Sequence, residues 1–426
     1  MPAAGGAVAV TGMGVVTSIG TSIAEFAHAL RAGVSGVVAV SADEFAKTGV
    51  PVAARMDAFD WKKALEAYSD RAPAAVARAL RLLRNAPDSA RWSMVAALEA
   101  WQASGLHDGA VPAERTVLLI GGNNLHQSFI HRSTEQFLKR PEYLNARYAL
   151  GYFDTFQLGA ISEVLGVRGP GITVGGASAS GNLALAQGLF WIRAGLVDAC
   201  IVCSPAVELS PVELRGFGTI GAAFTDELKG APAACCRPFD AGRRGFVYGQ
   251  GGGCVVLERE EAAAARGARS FGAILGAAFA LDGNHLPDPS LEGEMRVMRS
   301  ALADAGVVSE DVGYVNAHGT GSPLGDDTEC AALREVFGAH ASHLRVNSTK
   351  ALTGHCMQAA GMVEAIATLI QLEERFAHAN PNLARPIDPD IGFVGRRAEP
   401  LDALHGLSNS FGFGGISSSV VLRRAV

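Results

Sequence analysis

Ser178 stands in the tract Gly169-Pro-Gly-Ile-Thr-Val-Gly-Gly-Ala-Ser178-Ala-Ser-Gly-Asn182, at a turn just ahead of an apolar helical pattern. A residue so placed meets the unpaired N–H groups and the positive dipole end of a helix start. A cysteine there would be a thiolate of depressed pKa. A serine gains no such activation, and its hydroxyl becomes a useful nucleophile only beside a general base. Two histidines stand in motifs of similar build: His318 in Val315-Asn-Ala-His318-Gly-Thr320-Gly-Ser322-Pro-Leu-Gly-Asp326-Asp-Thr-Glu329, and His355 in Asn347-Ser-Thr-Lys350-Ala-Leu-Thr-Gly-His355-Cys-Met-Gln-Ala-Ala-Gly361-Met-Val-Glu364. A lone histidine more often serves structure than chemistry, and a serine in a Gly/Ala turn is ordinarily only a small residue. The joint occurrence of these tracts with the glycine-rich Leu407-Ser-Asn-Ser-Phe411-Gly-Phe-Gly-Gly415 is not accidental.

The elements that must position these residues are strand–turn–helix units. Ile172 to Val174 reads as a short strand, and Asn182 to Ala194 as a long apolar helix, with Ser178 between them. A strand-like run ends at His318, followed by a glycine turn and a helix from near Asp326. The third unit is a turn feeding an apolar helix that His355 opens and that runs to about Leu372. The units at Ser178 and His355 are a faint internal echo of one another.

Together the tracts resemble the β-ketoacyl-acyl-carrier-protein synthase family of the thiolase superfamily, from Val8-Ala-Val-Thr-Gly12-Met-Gly-Val-Val-Thr-Ser-Ile-Gly20, through Arg237-Pro-Phe-Asp240-Ala-Gly-Arg243-Arg-Gly-Phe-Val-Tyr-Gly249, to a final strand ending at Arg423. The resemblance implies an α/β thiolase-like fold with two similar βαβαβαββ halves in α-β-α-β-α layers, divided here as 1–258 and 259–426. It implies that His318 and His355 hold a malonyl thioester and donate to its enolate oxygen, while Lys350 and Glu364 orient the site. The backbone N–H groups of Ser178 and Phe411 would form a second oxyanion hole. Thr320 and Ser322 would bind the phosphopantetheine arm of a carrier protein, and the Phe411 ring would be the gatekeeper between half-sites. This chain departs from the family pattern at the nucleophile, where Ser178 replaces cysteine. Gly176 stands where threonine is common, Gln250 where glutamate is usual, and Ile416-Ser417 where Thr-Asn is usual.

Elongation parks an acyl group on the cysteine thiolate, and the other cysteines lie elsewhere. Decarboxylation of malonyl needs donors for the developing enolate and a shielded site rather than a nucleophile. The expected activity is therefore conversion of malonyl- to acetyl-carrier protein without elongation, as in the Ser-for-Cys decarboxylases of polyketide β-branching cassettes that serve a hydroxymethylglutaryl-synthase-like partner. The alternatives are an acyltransferase using Ser178 with a histidine base, a non-catalytic subunit resembling a chain-length factor, and an elongating synthase with an unusual serine. Retention of both histidines speaks against the subunit.

Bulk properties fit a large soluble enzyme. At 426 residues and 49% hydrophobic the chain buries a sizeable core. A run of about eighteen apolar residues is missing, and the first ten residues carry no basic side chain, so neither a membrane span nor a signal peptide is expected and the setting is cytoplasmic. Seven cysteines read as reduced thiols, with Cys200, Cys203 and Cys356 as core packing. No metal motif or phosphate loop is present, and Gly12, Gly14 and Gly20 read as turn glycines rather than a dinucleotide fingerprint. A net charge of −6 makes nucleic acid an unexpected partner. No intrinsic cofactor is expected, the substrate arriving on 4'-phosphopantetheine. Arg78, Arg81 and Arg84, with Arg91 beyond, are the candidate docking patch for an acidic carrier protein. By resemblance a homodimer is expected, with the aromatic-rich stretch from Arg132 to Leu158 approaching the partner subunit.

Overall fold

The computed structural model describes residues 6–425. Ten strands form the main sheet: β1 (Val8–Thr17), β2 (Thr116–Gly121), β3 (Gly171–Val174), β4 (Ala199–Ser204), β5 (Gly251–Arg259), β6 (Ala273–Leu281), β7 (Val312–Asn316), β8 (Arg345–Asn347), β9 (His405–Gly412) and β10 (Ile416–Arg423). Their spatial order is β8-β7-β9-β10-β6-β1-β5-β4-β2-β3. Each half repeats one pattern. From the centre outward β1, β5 and β4 pair antiparallel, and β4, β2 and β3 pair parallel. Strands β6, β10, β9, β7 and β8 do the same in the same order. The two sets join only at the middle, where Val8 faces Ile274 and Ala9 faces Ala273. The division expected between 258 and 259 falls at the last residue of β5.

Six helices make the layers: α1 (Asp88–Ser104), α2 (Thr155–Leu165), α3 (Ser180–Arg193), α4 (Leu291–Ala305), α5 (Pro323–Phe337) and α6 (Ala360–Glu373). α1 and α2 cover the outer face of the first strand set, and α4, backed by α5, covers that of the second. α3 and α6 lie between the two sets and touch strands of both. The cores follow the layers, with α1 and α2 side chains in one apolar cluster, α3 and α6 in a second shared by both halves, and α4 and α5 in a third. This is the expected α-β-α-β-α architecture. Both central helices are apolar nearly all round, as burial on every side requires.

Gly12 and Gly14 are not turn glycines. They lie inside β1, which is buried at every position. A Cβ on Gly12 would sit 2.0 Å from Ala100 O, and one on Gly14 2.0 Å from Ala96 O, so α1 presses directly on the strand. Gly20 alone of the three is in a turn, bridged to Thr17. A second close approach sets the site. A Cβ on Gly181 of α3 would lie 2.4 Å from Met362 N, and one on Gly361 of α6 would lie 2.9 Å from Asn182 N. The central helices therefore cross backbone to backbone within the first turn of each, which brings the turns at their starts together.

His355 does not open a helix. Gly354 has φ +66° and Met357 φ +53°, both outside the helical region, and α6 starts only at Ala360. His355 instead forms a bridge with Tyr248 in the segment ahead of the turn Met357–Ala359. No helix among the described residues is long and apolar enough to cross a membrane.

Candidate active site

Ser178 is the middle residue of the turn Ala177–Ala179, directly ahead of α3. Its hydroxyl lies 2.9 Å from His355 Nε2. The Met357 N–H donates to His355 Nδ1 at 3.1 Å. With Nδ1 accepting, the ring proton is on Nε2 and points at Ser178 Oγ and the cavity. The bend that excludes His355 from α6 thus also fixes its tautomer.

His318 follows β7 at the mouth of the turn into α5. Its backbone N–H and that of Gly319 donate to Glu329, at 2.8 and 2.7 Å, which ties the turn to the middle of α5. Lys350 Nζ donates to His318 O at 2.5 Å and lies 3.3 Å from His318 Nδ1. The same ammonium is paired with Glu364 of α6, both side chains being almost fully buried. Since Lys350 only donates, His318 Nδ1 accepts, and this ring too carries its proton on Nε2. The two rings stand edge to face with centroids 5.6 Å apart. Burial, reinforced by the Lys350 charge, holds both imidazoles well below their usual pKa, so they are neutral donors. Burial raises the Glu364 carboxyl, against the pull of Lys350 beside it.

Phe411 lies near the end of β9, with its ring edge to face against His318 at 5.6 Å. Gly412 beside it runs so close to the Ser178 turn that a Cβ would be 2.6 Å from Gly176 O and 3.3 Å from Ser178 N. Ser410 Oγ donates to Ser178 O at 2.8 Å. These contacts bring the Ser178 and Phe411 backbones alongside one another. Thr320 and Ser322 share a hydrogen bond of 3.0 Å between their hydroxyls.

A cavity of about 370 Å³ joins Ser178, His318, His355, Thr320, Ser322 and Phe411. Among the described residues no lysine or arginine lines it, while Asp282, Asp288, Glu294, Asp326 and Glu329 do. Lys350 and Glu364 stand behind His318, out of the lining. Arg78, Arg81 and Arg84 are on the helix Pro73–Leu82 and the turn Leu83–Asn85, which also contribute nothing to it. Among the described residues no group of three His, Cys, Asp or Glu side chains is arranged to hold a metal.

The beta-ketoacyl synthase N-terminal domain matches residues 6–263 and the C-terminal domain residues 271–384. The chain belongs to the β-ketoacyl synthase family. It is 36% identical over 416 residues to the polyketide biosynthesis malonyl-ACP decarboxylase PksF of Bacillus subtilis (strain 168), covering 98% of this chain and 96% of that protein. It is 32% identical over 421 residues to the 3-oxoacyl-[acyl-carrier-protein] synthase 2 of Coxiella burnetii (strain RSA 493 / Nine Mile phase I), covering 98% of each. Among solved structures, the ishigamide ketosynthase/chain length factor superposes with a TM-score of 0.86 at 29% identity, covering 99% of this chain and 100% of that one.

Within this ketosynthase frame the departures from the family pattern are packed, not vacant. A Cβ on Gly176 would meet Leu183 Cδ2 at 2.8 Å and Ile416 Cγ2 at 3.6 Å, so two of the altered positions face each other. Ser417 Oγ donates to Asp282 at 3.1 Å, and Gln250 Oε1 accepts from Met56 N at 2.8 Å. Four residues of the ketosynthase site escaped the sequence reading. Phe246 packs edge to face on His355 at 5.3 Å, Glu329 anchors the His318 turn, and Glu294 and Gln358 line the cavity. Glu329 had a signal in its motif; the others show only when distant segments meet.

Proposed function

We propose that this chain decarboxylates a malonyl group carried on the phosphopantetheine of an acyl carrier protein, leaving an acetyl thioester without chain elongation. The observation that carries the reading is the paired tautomer: Met357 N–H and Lys350 fill the two Nδ1 atoms, so two neutral Nε2–H donors face one cavity beside a residue that lacks a thiol. With the arm along Thr320 and Ser322, the thioester oxygen takes both imidazole hydrogen bonds. The bond from C2 to the carboxylate breaks, carbon dioxide leaves, and its electron pair becomes the enolate that the donors stabilise. C2 then takes a proton from water, and no acyl group competes for it. The cation-free lining favours the same step, because the malonyl carboxylate finds no ion pair to hold it. No intrinsic cofactor enters any step. The backbone N–H groups of Ser178 and Phe411 would provide the second oxyanion hole, and the Phe411 ring would close the arm's approach.

The acyltransferase alternative draws on the 2.9 Å contact between Ser178 and His355. It requires His355 Nε2 to accept, the reverse of the arrangement Met357 imposes. The subunit resembling a chain-length factor has no use for a fixed histidine pair. In its wider setting the proposal places residues 1–258 and 259–426 as two halves of one catalytic unit working in the cytoplasm, in polyketide β-branching, upstream of a hydroxymethylglutaryl-synthase-like enzyme. Arg81 and Arg84 are exposed for carrier docking, while Arg78 is partly engaged with Glu163 O at 2.7 Å. A homodimer would use the open edge of β3 and the exposed Phe137, Leu138, Tyr143, Tyr152 and Phe153.

Intact mass spectrometry of malonyl-loaded carrier protein tests the reading, with His318→Ala as control. Loss of carbon dioxide from the carrier-bound group, with unmodified enzyme, supports it. Acyl mass gained on the enzyme with malonyl intact transfers the reading to the acyltransferase, and no change in either to a non-catalytic subunit.

A further inference from the structure

The turn that mirrors Ser178 carries a side chain with no role so far. Ala177–Ala179 and Met357–Ala359 are each a single tight turn ahead of a central helix. Each is entered by a non-glycine residue of positive φ, Ala177 at +48° and Met357 at +53°. Ser178 and Gln358 are the middle residues, the turns pack on one another, and both side chains line the same cavity. Backbone strain kept twice at corresponding places marks a conformation that the surroundings hold for both residues.

Gln358 Nε2 donates to Asn123 O at 2.9 Å. Among the described residues Gln358 Oε1 and Asn123 Oδ1 are both buried without a hydrogen-bond partner, which costs free energy that simple packing by an apolar side chain would avoid. A Cβ on Gly122, just past β2, would be 3.6 Å from Gln358 Cβ, and one on Gly175, just past β3, would be 3.2 Å from the Asn123 side chain. Gln358 and Asn123 therefore sit just past the paired ends of β2 and β3, where Gly122 N–H still bonds Val174 O at 2.8 Å, and against the Ser178 turn.

We infer that Gln358, braced by Asn123, is the specificity residue that confines the group beside Ser178 to the length of malonyl and acetyl. Any acyl chain reaching past residue 178 would run into this amide pair. The block is steric and depends on the length of the side chain at 358. It rests on the reading that a pantetheine thioester enters the cavity, but not on decarboxylation itself.

The test is equilibrium binding, by calorimetry, of S-ethyl- and S-dodecyl-pantetheine to the unaltered protein and to Gln358→Gly, with Gln358→Ala as a second variant should the first fold poorly. S-ethyl-pantetheine is expected to bind both proteins alike, which also reports that the variant is folded. S-dodecyl-pantetheine is expected to bind the variant about tenfold or more tightly than the unaltered protein, the scale on which apolar pockets sort chain length. Equal binding of the dodecyl compound by both, or by neither, overturns the assignment. Failure of the ethyl compound to bind the unaltered protein would instead count against the pantetheine reading, so the two failures are told apart.

Discussion

Ser178 Oγ lies 2.9 Å from His355 Nε2, and the proton in that contact belongs to the histidine. The distance is that of a nucleophile and its base, but the Met357 N–H on Nδ1 leaves Nε2 no lone pair with which to take the serine proton. The serine accepts, and its own hydrogen is free to point elsewhere. A serine–histidine pair of catalytic spacing is here disarmed by one backbone N–H.

Ser178→Ala should therefore leave malonyl-to-acetyl turnover within roughly tenfold of the unaltered enzyme, the scale of one neutral hydrogen bond. Turnover of malonyl-carrier protein, followed by mass, checks this. A collapse of kcat, with an acyl adduct on Ser178 in the unaltered enzyme, would reinstate the serine as nucleophile.

On the proposed reading, His318→Ala and His355→Ala each remove one donor to the enolate oxygen and should each lower kcat by roughly 10²- to 10³-fold. KM should change little if the arm is held at Thr320 and Ser322. A conservative Phe411→Leu exchange should cost less than either, since its ring touches His318 but donates nothing. A greater loss at 411 than at the histidines would overturn the donor assignment.

Lys350→Met strands the Glu364 carboxyl, which is 2% exposed, and removes the group that holds His318 Nδ1. Breaking a buried pair from one side costs about 3–5 kcal/mol of stability, measurable by urea unfolding. The double exchange Lys350→Met/Glu364→Leu should recover most of that stability but not the activity, because His318 stays unoriented. Recovery of both would mean that the pair serves folding alone.

Burial, helped by the neighbouring Glu329 and Asp282, pushes the Glu294 carboxyl well above its ordinary value, and its Oε2 has no hydrogen-bond partner among the described residues. A folded-state pKa that is raised favours the proton-bound form, so this group's contribution is complete below the unfolded value and drains away as pH climbs toward the folded one. Glu294→Gln should thus raise Tm by an amount that grows as pH climbs above the ordinary carboxylate range. A pH-independent Tm difference would show that the carboxyl titrates normally.

The parts of the site legible in the sequence are those whose chemistry and backbone setting lie in one tract: Ser178 between strand and helix, His318 after its strand, and Lys350 and Glu364 flanking His355. What stayed hidden depends on meetings between distant segments. Gln358 reaches Asn123 across 235 positions, and Phe246 finds His355 only through the packed fold. The run from Cys356 to Ala360 is rich enough in helix formers to continue a helix, and nothing in its composition announces the positive φ of Met357 that fixes the His355 tautomer. Gly12 and Gly14 show the same limit, because a glycine that admits a neighbouring helix and one that turns the chain are spelled alike.

The crossing at Gly181 and Gly361 has a consequence for how such a centre is divided. Ser178 precedes β5 while His318 and His355 follow β6, so the residues that meet in the cavity come from opposite sides of the chain's middle, and neither side alone holds the set. A chain severed between Arg259 and Ala273 would be silent in either fragment and regain its centre only by complementation of the two.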